Sequence, residues 1–225
     1  MKWARVWDLI NSFSSMLSTR VLHLLLCLVS IPAFLLVDAT GAYSPYISSD
    51  IHCDKDAHTS FITNRYKYYA PLHKFTNLTK SFFDLSWGAG TLVPNTTGID
   101  NVPGATRAGE YGGYHFDETL TMYTSHPDAL AYAYHGKGFK VSGQGINFGS
   151  SVKLYSYAEA FRFESICGGQ ATLIDARTYT CSDNPIATYD WETMLHDSTL
   201  TALAARIRAP MFTGDCLENL KRSYN

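Results

Sequence analysis

The stretch GATRAGEYGGYHFDETLTMY, residues 104 to 123, brings Arg107, His115, Asp117 and Glu118 close together between two glycine-flanked runs of alternating residues. If the second run is a strand, Tyr114, Phe116, Glu118, Leu120 and Met122 share one face and His115, Asp117, Thr119, Thr121 and Tyr123 the other. The first set is mostly apolar and is assigned to the interior. Glu118 is then a carboxyl in apolar surroundings, where desolvation disfavours its charged form unless Arg107 or another cation compensates. Such a group can act as general acid or base, protonating a carbonyl or removing an acidic methylene proton. The competing reading is a structural pair of Glu118 with Arg107 or Arg162 across strands. His115 and His135 titrate near neutrality but fall on faces opposite the apolar set, and are assigned to solvent.

Further candidates lie downstream. Arg162, Asp175 and Arg177 could form one cross-strand ion network, and whether any of them faces a cavity depends on a one-residue choice of register. Tyr132, Tyr134 and Tyr157 suit either core packing or hydrogen bonding to a ligand carbonyl. The sequence carries no glycine-flanked nucleophile with triad partners. Its glycines at 137 to 150 lack phosphate-loop spacing, and neither Cys-x-x-Cys nor His-Glu-x-x-His occurs, so it shows no metal or cofactor signature. With a formal charge of -2 and no run of Lys or Arg, the chain lacks the clustered basic charge that nucleic acid requires. Aromatic residues make up 14% of the 225 residues, which suits an aromatic ligand cavity or simply a strand-rich core.

Several elements must position these groups. SFITNRYKYY predicts a strand that ends at Ala70-Pro71, and the apolar spacing from Leu72 to Trp87 predicts one or two short helices. Strands follow at about 90 to 94, 102 to 109, 114 to 124 and 129 to 136, joined by connections too short for crossover helices and therefore antiparallel. SVKLYSYAEAFRFESI and QATLIDARTYTC form a hairpin about Gly168-Gly169, with either face of the first strand able to be the inner one. Asp183, Asn184 and Pro185 announce a long final helix.

The N-terminal part sets the expected compartment. Residues 21 to 37 are a continuous apolar run within a segment 1 to 42 that reads as a signal peptide or an uncleaved signal anchor. Residues 43 to 58 read as a linker, 59 to 209 as one folded domain and 210 to 225 as a tail. Asn77 and Asn95 head glycosylation sequons, and Cys53, Cys167, Cys181 and Cys216 in an oxidising compartment read as two disulfides with three possible connectivities. The expected localisation is the secretory pathway, with the domain lumenal or secreted, and with the N-terminal segment touching the membrane if it is uncleaved.

YYAPLHKF, Trp87, PGATR, YHFDETL, ALAYAY and the helix after Pro185, in that order, resemble the START-like superfamily, in particular its polyketide cyclase/dehydrase and lipid-transport group, over roughly residues 58 to 208. Fungal secondary-metabolite cyclases look like this as well. The resemblance implies an α+β helix-grip fold, a curved seven-stranded antiparallel sheet gripping a long C-terminal helix with a hydrophobic cavity between them. It also implies the pairing of Cys53 with Cys181 and of Cys167 with Cys216, because the first strand lies beside the last and the final helix runs back past the last hairpin. The implied function is a cyclase or isomerase acting on a polyketide-like or other hydrophobic molecule without a cofactor. Glu118 and Arg107 would be its catalytic pair, and Tyr132, Tyr134, Tyr157 and Arg162 would line the substrate. The alternative is a non-catalytic carrier of a hydrophobic ligand or lipid.

Overall fold

The computed structural model describes residues 51, 53, 56–88, 94–111, 114–138, 140–141 and 151–216, which fall in the unit Pro45–Asn225. The apolar run at 21 to 37, most of the expected linker, residues 90 to 93 of the strand expected at 90 to 94 and the glycine-rich 142 to 150 lie outside the described residues. Among the described residues no helix is long and apolar enough to cross a membrane.

Among the described residues, eight strands, β1 (His58–Tyr68), β2 (Asn95–Thr97), β3 (Thr106–Tyr111), β4 (Tyr114–His126), β5 (Ala129–Lys137), β6 (Lys140–Val141), β7 (Val152–Ile166) and β8 (Ala171–Ser182), accompany two α-helices, α1 (Leu72–Thr79) and α2 (Pro185–Arg206). The sheet order is β1-β8-β7-β5-β4-β3-β2, with the short β6 paired to β7 off this path, and every pairing is antiparallel. This is the helix-grip arrangement: the first strand closes against the last, and α2 packs across the inner face.

Local chemistry explains the ends of these elements. The β7–β8 hairpin turns through Cys167, Gly168 and Gly169 at φ of 55°, 63° and 90°, a left-handed run that glycine adopts without steric cost. Helix α2 starts where Asn184 Oδ1 accepts from the Ala187 N–H, with Pro185 in the first turn, where its missing N–H costs nothing. Between α1 and β2, Ser81 Oγ donates to Asp100 Oδ2 at 2.7 Å and the Phe82 N–H to Asn101 Oδ1 at 2.9 Å, which fixes the segment leading to Trp87. Asn77 and Asn95 are both exposed, the first on α1 and the second on β2.

Two irregularities decide which side chains face inward. Strand β7 shifts register against β8 between Leu154 and Ser156. Val152 and Leu154 point inward before the shift and Tyr157, Glu159, Phe161 and Phe163 after it, so the inner face changes from even to odd positions. Strand β4 shifts against β5 between Leu120 and Met122, so its simple alternation ends there. Tyr123, not Met122, packs against the core beyond that point, and its hydroxyl donates to the Lys80 carbonyl at 2.8 Å.

Past α2 the chain returns to β1. Met211 bridges Tyr68, and the Phe212 N–H donates to the Lys67 carbonyl at 2.9 Å. Disulfides join Cys53 to Cys181 and Cys167 to Cys216, the two pairs implied by the resemblance, across 128 and 49 residues of chain. Because closing a longer loop restricts the unfolded chain more, replacing the first pair by serine should cost about 0.9 kcal/mol more than replacing the second. Urea unfolding of the two double-serine variants measures the difference.

Candidate functional site

Between the sheet and α2 lies a cavity of about 140 Å³. Its apolar wall is Leu85, Trp87, Phe116, Phe161, Trp191, Leu195 and Leu200, and its polar groups are Arg107, Glu118, Tyr134, Tyr157, Glu159, Glu192, His196 and Thr199. A cavity of about 150 Å³ accepts a single benzene-sized ring, whereas ordinary ligand pockets run from about 300 Å³ upward. The space therefore fits one ring with a small substituent.

The sequence pair Arg107 and Glu118 forms one wall. The two residues sit opposite each other on β3 and β4, with Arg107 Nε donating to Glu118 Oε2 at 2.5 Å. A second guanidinium N–H donates to the Phe82 carbonyl at 2.7 Å, and the guanidinium lies 4.2 Å from the Phe82 ring centre and 4.7 Å from that of Tyr134. Burial works against the Arg107 charge, but adjacent Glu118 more than offsets it, and its pKa rises above the usual arginine value. The other Glu118 oxygen accepts from the Tyr157 hydroxyl at 2.7 Å. Both carboxylate oxygens are thus occupied, as the structural reading of this pair requires.

Gly136 makes room for that contact. It is the β5 partner of both Glu118 and Tyr157, and a Cβ there would stand 2.1 Å from Tyr157 Cζ. Burial and the neighbouring Glu118 carboxylate hold the Tyr157 hydroxyl well above its ordinary pKa, so it remains a donor.

A second polar group occupies the helix side. His196 on α2 places Nε2 2.5 Å from Glu159 Oε1 on β7, and its Nδ1 is 2.8 Å from Asn64 Oδ1 on β1. Tyr134 donates its hydroxyl to the remaining Glu159 oxygen, Oε2. Burial lowers the His196 pKa, but its hydrogen bond to Glu159 and the carboxylates of Glu159 and Glu192 raise it further, with a net upward shift. Glu192, one helical turn before His196, is 3% exposed and makes no hydrogen bond among the described residues. Burial and the nearby Glu159 carboxylate push its carboxyl up to about 8.

Several sequence assignments change. Tyr134 and Tyr157 line the cavity, but Tyr132 is buried beside Tyr134, with ring centres 6.4 Å apart, and does not line it. Arg162 is on the outer face of β7, where it pairs with Glu164 at 3.1 Å with a side chain 42% exposed. It follows the β7 shift, which turns Phe161 and Phe163 inward and Arg162 outward. His115 and His135 are both exposed. Asp175 bridges Arg65 and Arg177, separately from Arg162. Glu159, Glu192 and His196 were not singled out from sequence. Their signal is a Glu and a His at i, i+4 on the stripe Thr188, Trp191, Leu195, Leu200 and Leu203, where an amphipathic helix carries its apolar face.

No protein-family model matches the sequence, and no curated protein matches it. Solved structures do resemble the fold. XoxI from Bacillus cereus has a TM-score of 0.52 at 11% identity, covering 66% of this chain and 95% of that one. Norcoclaurine synthase from Thalictrum flavum, in complex with dopamine and hydroxybenzaldehyde, has a TM-score of 0.42 at 16% identity, covering 68% and 86%. Ara h 8.0201 has a TM-score of 0.47 at 10% identity, covering 67% and 98%. At these identities the likeness establishes the fold alone, the helix-grip fold.

The two polar groups make opposite predictions for stability. Arg107→Ala leaves Glu118 buried without its cation and should lower stability by about 3–5 kcal/mol. Glu192→Gln removes a buried ionisable group that has no donor and should raise stability by about 1–3 kcal/mol. Thermal and urea unfolding of the two variants beside the parent measure both signs.

Proposed function

We propose that this domain binds a compact, largely apolar molecule of single-ring size and rearranges it, as an isomerase or cyclase, with the Glu159–Glu192–His196 end of the cavity facing its polar group. The observation that carries the reading is Glu192, a buried carboxyl without a hydrogen-bond partner among the described residues, in a cavity walled largely by aromatic and aliphatic side chains. Burying such a group costs stability, and a site that merely holds an apolar ligand gains nothing from it. Proton transfer to or from a bound carbonyl compound gives it a use. Arg107 and Glu118 then hold the wall rather than take part, because their polar atoms are engaged with each other, Phe82 and Tyr157.

The carrier reading shares the cavity but not the proton transfer. Trp87 and Trp191 line the space, so ligand entry can be read from tryptophan fluorescence. Cyclohexanone and cyclohex-2-enone are suitable probes, with binding followed by quenching and proton transfer followed by deuterium wash-in beside the carbonyl in D2O. The enzyme reading expects quenching together with wash-in faster than in buffer, and loss of the wash-in in Glu192→Gln. Quenching without wash-in selects the carrier, and absence of both overturns the ligand site.

A further inference from the structure

We propose that Glu159, Glu192 and His196 form a site for one divalent transition-metal ion at the polar end of the cavity. The inference rests on reading this cavity as a ligand site and names what occupies its polar end. One ligand atom from each of the three residues lies within 4.8 Å of the other two, and all three residues are buried. Glu159 comes from the middle of β7, while Glu192 and His196 stand one turn apart on the facing side of α2, so the site closes where helix and sheet meet.

The hydrogen bonds around these residues leave their inner atoms for a cation. Asn64 Oδ1 accepts from His196 Nδ1, so that in the neutral ring the lone pair lies on Nε2. Nε2 faces Glu159 Oε1 at 2.5 Å, a contact that a protonated ring fills with its own proton and a neutral ring fills with a cation. Tyr134 engages the outer Glu159 oxygen, Oε2, and leaves Oε1 for the site. Partners on the remote atoms of an imidazole and a carboxylate are how proteins orient metal ligands. Glu192 is 3% exposed, lines the cavity and has no hydrogen-bond partner among the described residues.

Charge points the same way. Arg107 is committed to Glu118, so two carboxyl groups face one imidazole, and with both ionised even a protonated His196 leaves one negative charge over. A divalent ion balances both carboxylates with His196 neutral. Imidazole with carboxylates suits the Zn²⁺, Mn²⁺ and Fe²⁺ group, and three protein ligands leave a position open toward the apolar cavity for an oxygen of the bound molecule.

The test uses the untagged protein with its disulfides intact, stripped by chelator and titrated by calorimetry with Zn²⁺ and with Mn²⁺, in the absence of any organic ligand. The expected result is one equivalent of metal in the parent and none in Glu192→Gln, a variant expected to fold at least as stably as the parent. Asn64→Ala should weaken binding by about 10- to 100-fold, because it releases the ring. His135→Gln, at an exposed histidine, should bind as the parent does. No uptake by the folded parent, or equal uptake by Glu192→Gln, overturns the metal site; an unchanged affinity in Asn64→Ala overturns the assigned ring orientation and the site built on it. Metal uptake and deuterium wash-in are read separately, so failure of one leaves the other standing.

Discussion

The one-residue shift in β7 between Leu154 and Ser156 governs what meets inside the sheet. Without it, the alternation that points Val152 and Leu154 toward the helix would continue through Ser156, Ala158, Ala160 and Arg162. Glu159 and Phe161 would then face outward. The shift instead gives the two ends of one strand different tasks. Its first part packs Val152 and Leu154 against Ala187 and Trp191, and its second part presents Tyr157 and Glu159 to the cavity. Tyr157 reaches across to Glu118 and Glu159 reaches to His196, so the same strand ties both polar groups to the frame. Register is a backbone property here, yet it decides the chemistry of the interior.

Two buried polar clusters share the cavity and differ in how complete they are. Arg107 and Glu118 carry opposite charges, and their atoms are bonded to each other, to Phe82 and to Tyr157. That cluster is self-sufficient and stiffens the β3–β4 side of the molecule. Glu159, Glu192 and His196 hold an excess of acid and a carboxyl without a donor. Low-dielectric surroundings magnify both conditions, since satisfied networks gain and unsatisfied ones lose more than they would in water. The incomplete cluster is therefore where an incoming group has most to gain.

The strands from β4 on and the final helix were legible in the sequence because period-two alternation, short connections and the Asn184-Pro185 start each have a local cause, whereas β2 lies at Asn95–Thr97 in a stretch read as a connection and the strand expected from 102 begins at Thr106. The pairing of β1 with β8 came from the resemblance and agrees with the register from His58 opposite Ser182 to Tyr68 opposite Thr172. The inward face of β7 was not legible, since the strand alternates without a break and its register shift against β8 shows only in the pairing. Arg162 was misplaced for that reason. Tyr132 failed differently: its face was right, but depth within the core separates it from the cavity. Glu192 and His196 escaped notice because a helix read for its apolar stripe draws attention to Trp191, Leu195 and Leu203, and away from the polar residues between them.

Gly136 has a consequence for how this interior could change. The Tyr157 ring occupies the space that a Cβ on Gly136 would need, so the ring lies directly against the β5 backbone at that point. Position 157 consequently acts as a plug of adjustable length. A shorter residue there would enlarge the chamber toward the size of ordinary ligand pockets, forfeiting one hydrogen bond to Glu118 while leaving Glu159, Glu192 and His196 in place. Ligand size and ligand chemistry are thus controlled from different residues, so a lineage could alter the one without disturbing the other.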